Sequence, residues 1–276
     1  MVRKQVPLDN NTYVLIDLSS FIFTRYFAIK SWAKISGTII SEGDSGRLFV
    51  RQKFEKTFIE KLLAIHKKFR VPWQNMYLAK DCPRDTIWRK DMYPEYKKNR
   101  EERTLEFDPQ IFSYTYETII PELQKESKFE VISYKRAEAD DIIAIIKEKI
   151  RIDKPDATII IITNDNDFLQ LLDSKTTILN SSLKPLKDKY TEEILSVFTK
   201  WKAIKGDVSD NIPPIESKIG DKTALKLATN QSLFDAKFIN NAKALDQFRL
   251  NTTLIDFEYI PDSIRLGVRE LVTLGV

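Results

Sequence analysis

Nine acidic side chains in this 276-residue chain stand where a fold could use them for chemistry. Asp17 lies in the apolar run YVLIDL, and Asp81 follows the run NMYLA by one residue. Glu138, Asp140 and Asp141 open the amphipathic stretch AEADDIIAIIKEKI, where a helix N-terminus favours negative charge. Glu138 and Asp141 are three apart and share a helical face. Asp165 and Asp167 follow TIIIIT, and Asp207 and Asp210 bracket one turn of GDVSDN. Any one of these acids reads as a helix cap or a solvated surface group. Their joint placement at strand and loop ends points elsewhere. Gathered carboxylates raise one another's pKa and cost stability, and a hard divalent cation removes that cost. Two such ions about 4 Å apart can activate a water and stabilise the leaving oxygen of a phosphodiester.

Composition narrows the alternatives. One cysteine, Cys82, excludes a disulfide framework and a Cys-rich zinc site. One histidine, His66, removes most His-based chemistry, and in KLLAIHKKFR it is expected to face solvent. No run approaches the roughly 18 apolar residues of a membrane span, and MVRKQVPLDNN carries no apolar secretory core. A cytoplasmic protein with no membrane association is expected. The formal charge is +4, from 44 Lys and Arg against 40 Asp and Glu. Without the nine acids above, 31 acidic residues remain, and the rest of the chain carries +13. A basic surface around an acidic pocket suits a polyanion that must meet bound cations.

The elements that must position these acids alternate between strand and helix. Tyr13–Leu18, Asn75–Ala79, Glu130–Ser133 and Thr158–Thr163 read as short buried strands. Phe54, Phe58, Leu62, Ile65 and Phe69 recur at helical spacing within 49–69, and 137–150 reads as a helix. Pro109–Lys125 reads as a helix with a kink or break at Pro121. The pattern predicts an α/β fold with an open, mostly parallel sheet flanked by helices. In such sheets ligands bind at the C-terminal strand edge, where Asp17 and Asp81 fall. The character changes near Leu183–Lys189. Thr191–Lys202 reads as a capped helix, KGDVSDNIPPIESKIGDK as a polar loop, and Lys222–Thr229 as a further helix, with a helical tail packing back beyond Ile239.

Between Arg84 and Arg103 basic residues interleave with Trp88, Tyr93 and Tyr96, a pattern suited to single-stranded nucleic acid. That segment, WRKDMYPEYKKNR, resembles a motif of the structure-specific 5′-nucleases, the flap endonuclease family. LIDLSS at 15–20, AEADDIIA at 137–144, ITNDNDFLQL at 162–171, KGDVSDNI at 205–212 and LIDFEYIPDSI at 254–264 extend the resemblance over nearly the whole chain. It implies a PIN-like catalytic domain over 1–184 with a helical arch at about 82–107. It also implies a helix–three-turn–helix DNA-binding region over 185–276.

Carried across residue by residue, the resemblance gives Asp17, Asp81, Glu138 and Asp140 to a first Mg²⁺. Asp141, Asp165, Asp167 and Asp210 serve a second, with Asp207 as an outer ligand. Mn²⁺ is expected to substitute. Lys97 and Arg100 are expected to meet the scissile phosphate as catalytic cations beside Asp141, and Tyr96 to stack on a terminal base if the arch presents it inward. Arg84, Arg89, Lys90, Lys98 and Lys205 are expected to contact DNA. In the clamp turn PPIESKIGDK, Pro214 and Ser217 stand where the family has glycines, Lys218 is inserted, and only Gly220 remains. The monovalent cation of the family's clamp thereby loses its usual support, and backbone gripping falls to Lys218, Lys222 and Lys226.

The activity implied is a Mg²⁺-dependent 5′→3′ exonuclease and flap endonuclease, acting on branched DNA and RNA–DNA hybrid as a monomer. A replication single-strand-binding protein and a sliding clamp are the partners implied. A PIN-type single-strand ribonuclease is the alternative, against which the clamp segment Thr191–Thr229 speaks. A non-catalytic DNA-binding module is the third reading, and the full complement of acids speaks against it.

Overall fold

The structure, a computed structural model, describes residues 7–38, 44–103 and 107–275, with the side chains of 44 and 101–103 left aside. Residues 104–106 of the expected arch, the Arg103 side chain and residues 1–6 therefore lie outside the described set.

Among the described residues, five strands form one sheet: β1 (Thr12–Asp17), β2 (Met76–Ala79), β3 (Glu130–Ile132), β4 (Thr158–Ile162) and β5 (Thr176–Leu179). Their order is β3-β2-β1-β4-β5, and every pairing is parallel. β1 is buried at all six positions because helices cover both faces. Its residues alternate between two cores. Tyr13 and Leu15 join one, and Val14 and Ile16 join the other. β5 is absent from the strands that the apolar pattern predicts. It is four residues long, at the sheet edge, and TTIL carries no long apolar run.

The helices follow as α1 (Leu18–Ser36), α2 (Asp44–Phe69), α3 (Arg89–Met92), α4 (Gln110–Tyr114), α5 (Ile120–Glu126) and α6 (Ala139–Asp153). The C-terminal region adds α7 (Glu192–Ser196), α8 (Phe198–Lys205), α9 (Asp221–Thr229), α10 (Gln231–Phe238), α11 (Ala242–Ile255) and α12 (Asp262–Leu271). A π-helical turn over Thr115–Ile119 joins α4 to α5. Pro121, which lacks an N–H, sits in the first turn of α5 directly after it, so the expected break takes this form. The two regions share one core: Phe168 of the loop after β4 meets Phe257, and Gly267 of α12 approaches the Tyr134 ring so closely that a Cβ would meet it at 2.2 Å. His66 is half-buried rather than solvent-facing. It stacks on Trp73 at 4.1 Å, and its Nδ1 lies 2.7 Å from the Val71 carbonyl.

Strand order creates the site. The chain leaves β1 toward β2 and β3, then returns to the other flank of β1 as β4. The crevice at this reversal lies beyond the C-terminal ends of β1 and β4, where Asp17 and the Thr163–Asp167 loop stand.

Candidate active site

Each acid is held by its own local structure. Asp17 caps α1, accepting from the Ser20 N–H at 3.0 Å and from the Thr163 hydroxyl at 2.8 Å. Asp81 accepts from the Ala139 N–H at 2.7 Å and from the Ser19 hydroxyl. Glu138 caps α6. Asp165 accepts from the Asp167 N–H at 2.9 Å, which turns the loop after β4 back toward Asp17. The Asp207–Asp210 turn depends on Gly206. It has φ +73°, and a Cβ there would meet the Ile212 carbonyl oxygen at 2.4 Å.

Asp17, Asp81, Glu138, Asp140 and Asp165 line one cleft with Lys97, Arg100 and Phe23. A neighbouring cavity shares Asp165, Asn166 and Ser209 with it and runs past Asp167, Lys202 and Asp207 to Gly220 and Asp221. The cleft thus has two lobes, one against α1 and one against the clamp turn. Ligand atoms of Glu138, Asp140 and Asp141 lie within 4.8 Å of one another, as do those of Asp167, Asp207 and Asp210.

The electrostatics separate these acids into two groups. Asp17, Asp81, Asp140 and Asp165 form no ion pair among the described residues. Burial, and then the Asp81 charge, push Asp17 up to about 6. Burial and Glu138 push Asp140 up, and burial and Asp210 push Asp165 up. In the other group cations are built in. Burial opposes the ionised form of Glu138, but Lys97 at 2.5 Å and Arg89 at 2.9 Å outweigh it and hold Glu138 at about 2. Asp210 pairs with Arg100 and lies 3.6 Å from the Lys97 Nζ. Lys202 bridges Asp167 and Asp207, the latter at 2.5 Å, and holds Asp207 at about 2 against its burial. Asp167 nonetheless rises to about 7, because burial and three neighbouring aspartates exceed the pull of Lys202. Lys202 has no signal in TKWKAIKGD beyond its charge, since only tertiary packing brings α8 under Asp167.

Three expected roles change. Asp141 is fully buried, and both its oxygens are taken. Arg89 donates at 2.8 and 3.0 Å, the Trp88 indole at 3.0 Å and the Glu138 N–H at 3.0 Å. Its oxygens anchor Arg89, and one of them also lies within 4.8 Å of ligand atoms of Glu138 and Asp140. Arg89 itself is 1% exposed, spanning Asp141, Glu138 and the Leu254 carbonyl, so it cannot reach DNA. Tyr96 is also 1% exposed, with its hydroxyl 3.1 Å from both Glu138 and Asp210, so it offers no stacking face. These contacts seal the 88–97 segment against the floor of the site, where its described residues form short turns around α3. Arg84, Lys98, Lys218, Lys222 and Lys226 are exposed, and Lys90 and Lys205 are half-buried, Lys205 pairing with Asp221 at 2.8 Å. In the clamp turn the left-handed position belongs to Lys218 (φ 67°), while Gly220 is extended with open space around it.

The donor set fits a hard divalent cation: among the described residues of the cleft, the carboxylates of Asp17, Asp81, Asp140 and Asp165 form no ion pair and the Asn166 amide oxygen has no hydrogen-bond partner, and all of these donors are hard oxygen atoms. Linkage makes the fit testable. Asp17, Asp140, Asp165 and Asp167 keep protons in the folded state that the unfolded chain releases at about pH 4. Stability of the metal-free protein should therefore fall as pH rises from about 4 through 7. Glu138 and Asp207, held low, contribute in the opposite sense, with stability present above about pH 4 and lost below it. Because the cation competes with those retained protons, Mg²⁺ should raise the melting temperature more at pH 8 than at pH 5. An equal rise at both would remove these carboxylates as its binding groups.

Residues 12–202 match the family model described as the 5′-3′ exonuclease N-terminal resolvase-like domain. The chain is 26% identical over 241 residues to ribonuclease H of Enterobacteria phage T4, covering 79% of this chain and 78% of that relative. It is 28% identical over 268 residues to a 5′-3′ exonuclease of Bacillus subtilis, covering 91% and 81%. Its fold is similar to that of the bacteriophage T5 D15 flap endonuclease, solved with DNA and metal ions, with a TM-score of 0.69 at 19% identity over 95% and 97% of the two chains. With a matching domain over most of its length and carboxylates gathered at the reversal of a parallel sheet, the chain belongs to the 5′-3′ exonuclease family.

Proposed function

We propose that this chain is a Mg²⁺-dependent nuclease that hydrolyses phosphodiester bonds at 5′ ends and flaps of branched DNA and RNA–DNA hybrid. One observation carries the reading: Asp17, Asp81, Asp140 and Asp165 line a single cleft and form no ion pair among the described residues, beside Lys97 and Arg100. A pair of bound divalent ions would supply charge for the phosphate oxygens and a more acidic water. Asp17, Asp81, Asp140 and Asp165 would hold them, with Asp167, Asp207 and Asp210 of the second group beside them and Mn²⁺ able to substitute. Glu138 is committed to Lys97 and Arg89, so its part is to keep Lys97 at the cleft rather than to give its oxygens freely. Burial alone would discharge Lys97, but Asp210 and Glu138 outweigh it and keep the ammonium charged. Lys97 and Arg100 are then the cations available to a scissile phosphate, where a positioned charge stabilises the transition state. Phe23, 40% exposed at the cleft and packed on Phe107 at 4.5 Å, is the aromatic surface open to a base in place of Tyr96.

On the clamp side Lys218, Lys222 and Lys226 would hold a duplex backbone, with Lys205 behind them. Arg84, Lys90 and Lys98 would meet the single strand. A monomeric state and contacts with a single-strand-binding protein and a sliding clamp belong to the same reading and rest on the family resemblance. No helix among the described residues is long and apolar enough to cross a membrane.

A 5′-labelled flap DNA and a single-stranded RNA of matched length, each with Mg²⁺ and with chelator, test this directly. The flap should be cut near its junction, leaving a 5′-phosphate on the downstream strand, and chelator should stop the reaction. Cleavage confined to the RNA would favour the PIN-type ribonuclease instead.

A further inference from the structure

Lys97 and Arg100 reach the cleft from a segment with little regular structure of its own. α3 ends at Met92, and a 3-10 helix over Lys98–Arg103 follows. The turn after α8, at 207–211, holds this segment in place. Three consecutive carbonyls of that turn accept from it: Val208 from the Asn99 side-chain amide at 2.6 Å, Ser209 from the Arg100 Nε at 3.1 Å, and Asp210 from the Lys97 N–H at 2.9 Å. In return the Asn211 side-chain amide donates to the Glu95 carbonyl at 2.7 Å. The side-chain contacts join residues 109 and 116 apart in the chain, so no local preference accounts for them.

The joint carries local costs. Lys97 (φ 57°) and Asn211 (φ 61°) are both left-handed, where a Cβ crowds the following carbonyl. Asparagine tolerates that region, but lysine gains nothing from it locally. Asn99 Oδ1 is enclosed without a hydrogen-bond partner among the described residues, and an enclosed acceptor left unpaired is destabilising. Such costs persist where the surrounding contacts over-determine them, and they cluster where a protein works. The ion pairs at this joint are poor fixings for the work proposed. Arg100 pairs with Asp210, and Lys97 lies between Glu138 and Asp210. A bound divalent cation and a phosphate give each of these charges a second partner, which weakens the pairs. Neutral amide–carbonyl contacts compete with neither. We propose that Asn99 and Asn211 are positioning residues, a neutral latch that keeps Lys97 and Arg100 aligned on the scissile phosphate once Asp210 faces a bound cation. This rests on the nuclease reading, and deepens it by naming what aligns its two cations.

The test pair is Asn99→Ala/Asn211→Gly, because glycine keeps the left-handed turn at 211 while removing the amide. Both positions are half-buried, so the fold should survive the change. In the full chain with Mg²⁺ and a flap DNA, kcat should fall about a hundredfold, as for groups displaced by about 1 Å, while KM stays within a factor of about two. Either single change should give part of that loss. With Arg100→Met already in place, the same pair should cost only about tenfold, since one of the two cations it aligns is gone. Two further readouts need no cleavage. Mn²⁺ affinity of the DNA-free protein should match the parent's, and amide exchange over 95–100 should speed up about tenfold while α6 exchanges as before. A hundredfold loss in both backgrounds, a fall in Mn²⁺ affinity, or parental exchange over 95–100 would overturn the proposal. Failure of the parent chain to cut the flap would count against the nuclease reading, whereas exchange over 95–100 would still decide the latch.

Discussion

Asp165→Asn should reduce flap cleavage by about a thousandfold, or about 4 kcal/mol of transition-state stabilisation, while the melting temperature of the metal-free protein stays equal or rises. The direction follows from geometry and charge together. Asp165 lines both lobes of the cleft, has no cationic partner among the described residues, and is pushed up by burial and by Asp210. Its charge is a cost to the folded chain until a cation arrives, so removing it relieves repulsion and removes a ligand at once. The amide can still accept from the Asp167 N–H, so the loop after β4 keeps its shape. Cleavage rate in Mg²⁺, flap affinity in Ca²⁺ and thermal melting are the three readouts. Undiminished cleavage would sink the metal role of Asp165, and a large fall in melting temperature would show a structural role instead.

Asp141 and Arg89 should behave in the reverse way. Arg89→Met leaves Asp141 wholly buried with its main counter-charge gone and strips one of two cations from Glu138. Breaking such a pair costs about 3–5 kcal/mol. At about 2–4 °C per kcal/mol for a chain of this size, the melting temperature should fall by about 10 °C. Asp141→Asn should lose part of that stability, since Arg89 would keep one acceptor at that position and its contact with Glu138. Arg89→Met/Asp141→Leu should recover a portion of the loss, because it removes both buried charges and leaves apolar volume. A single Arg89 variant that melts with the parent and weakens only DNA affinity would restore the surface role expected for Arg89 from sequence. The two experiments together separate acids that face a ligand from acids that hold the floor beneath them.

Adjacent letters can mislead about which is which. Asp140 and Asp141 are neighbours in AEADDIIA, with the same chemistry and nearly the same distance from the helix start. A helix turns about 100° per residue, so the two carboxylates leave α6 in different directions. One lines the cleft; the other meets Arg89. Tyr96 and Lys97 show a related failure. An aromatic–basic segment reads as a nucleic-acid surface, yet the phenol ring is buried and the ammonium, kept charged, is held between Glu138 and Asp210 at the edge of the cleft. Lys202 was silent for the opposite reason. Nothing local marks a lysine whose partners, Asp167 and Asp207, come from a different loop and from five residues on.

The sequence by itself determined where the carboxylates gather. Strand ends follow apolar runs, and YVLIDL and TIIIIT read as fully buried strands, which the fold sets side by side within the parallel sheet. An acid that ends such a run is carried to the C-terminal edge whatever the rest of the chain does. Tertiary structure alone decided which of those acids remain unpaired. That depends on where Arg89, Lys97, Arg100 and Lys202 land, and these come from a turn-rich segment and a distant helix whose placement is set by packing against Leu254, Trp88 and Trp201. Burial multiplies the strength of each such encounter, so a cation within 3 Å of one aspartate and absent from the next divides chemically equal residues into anchors and ligands.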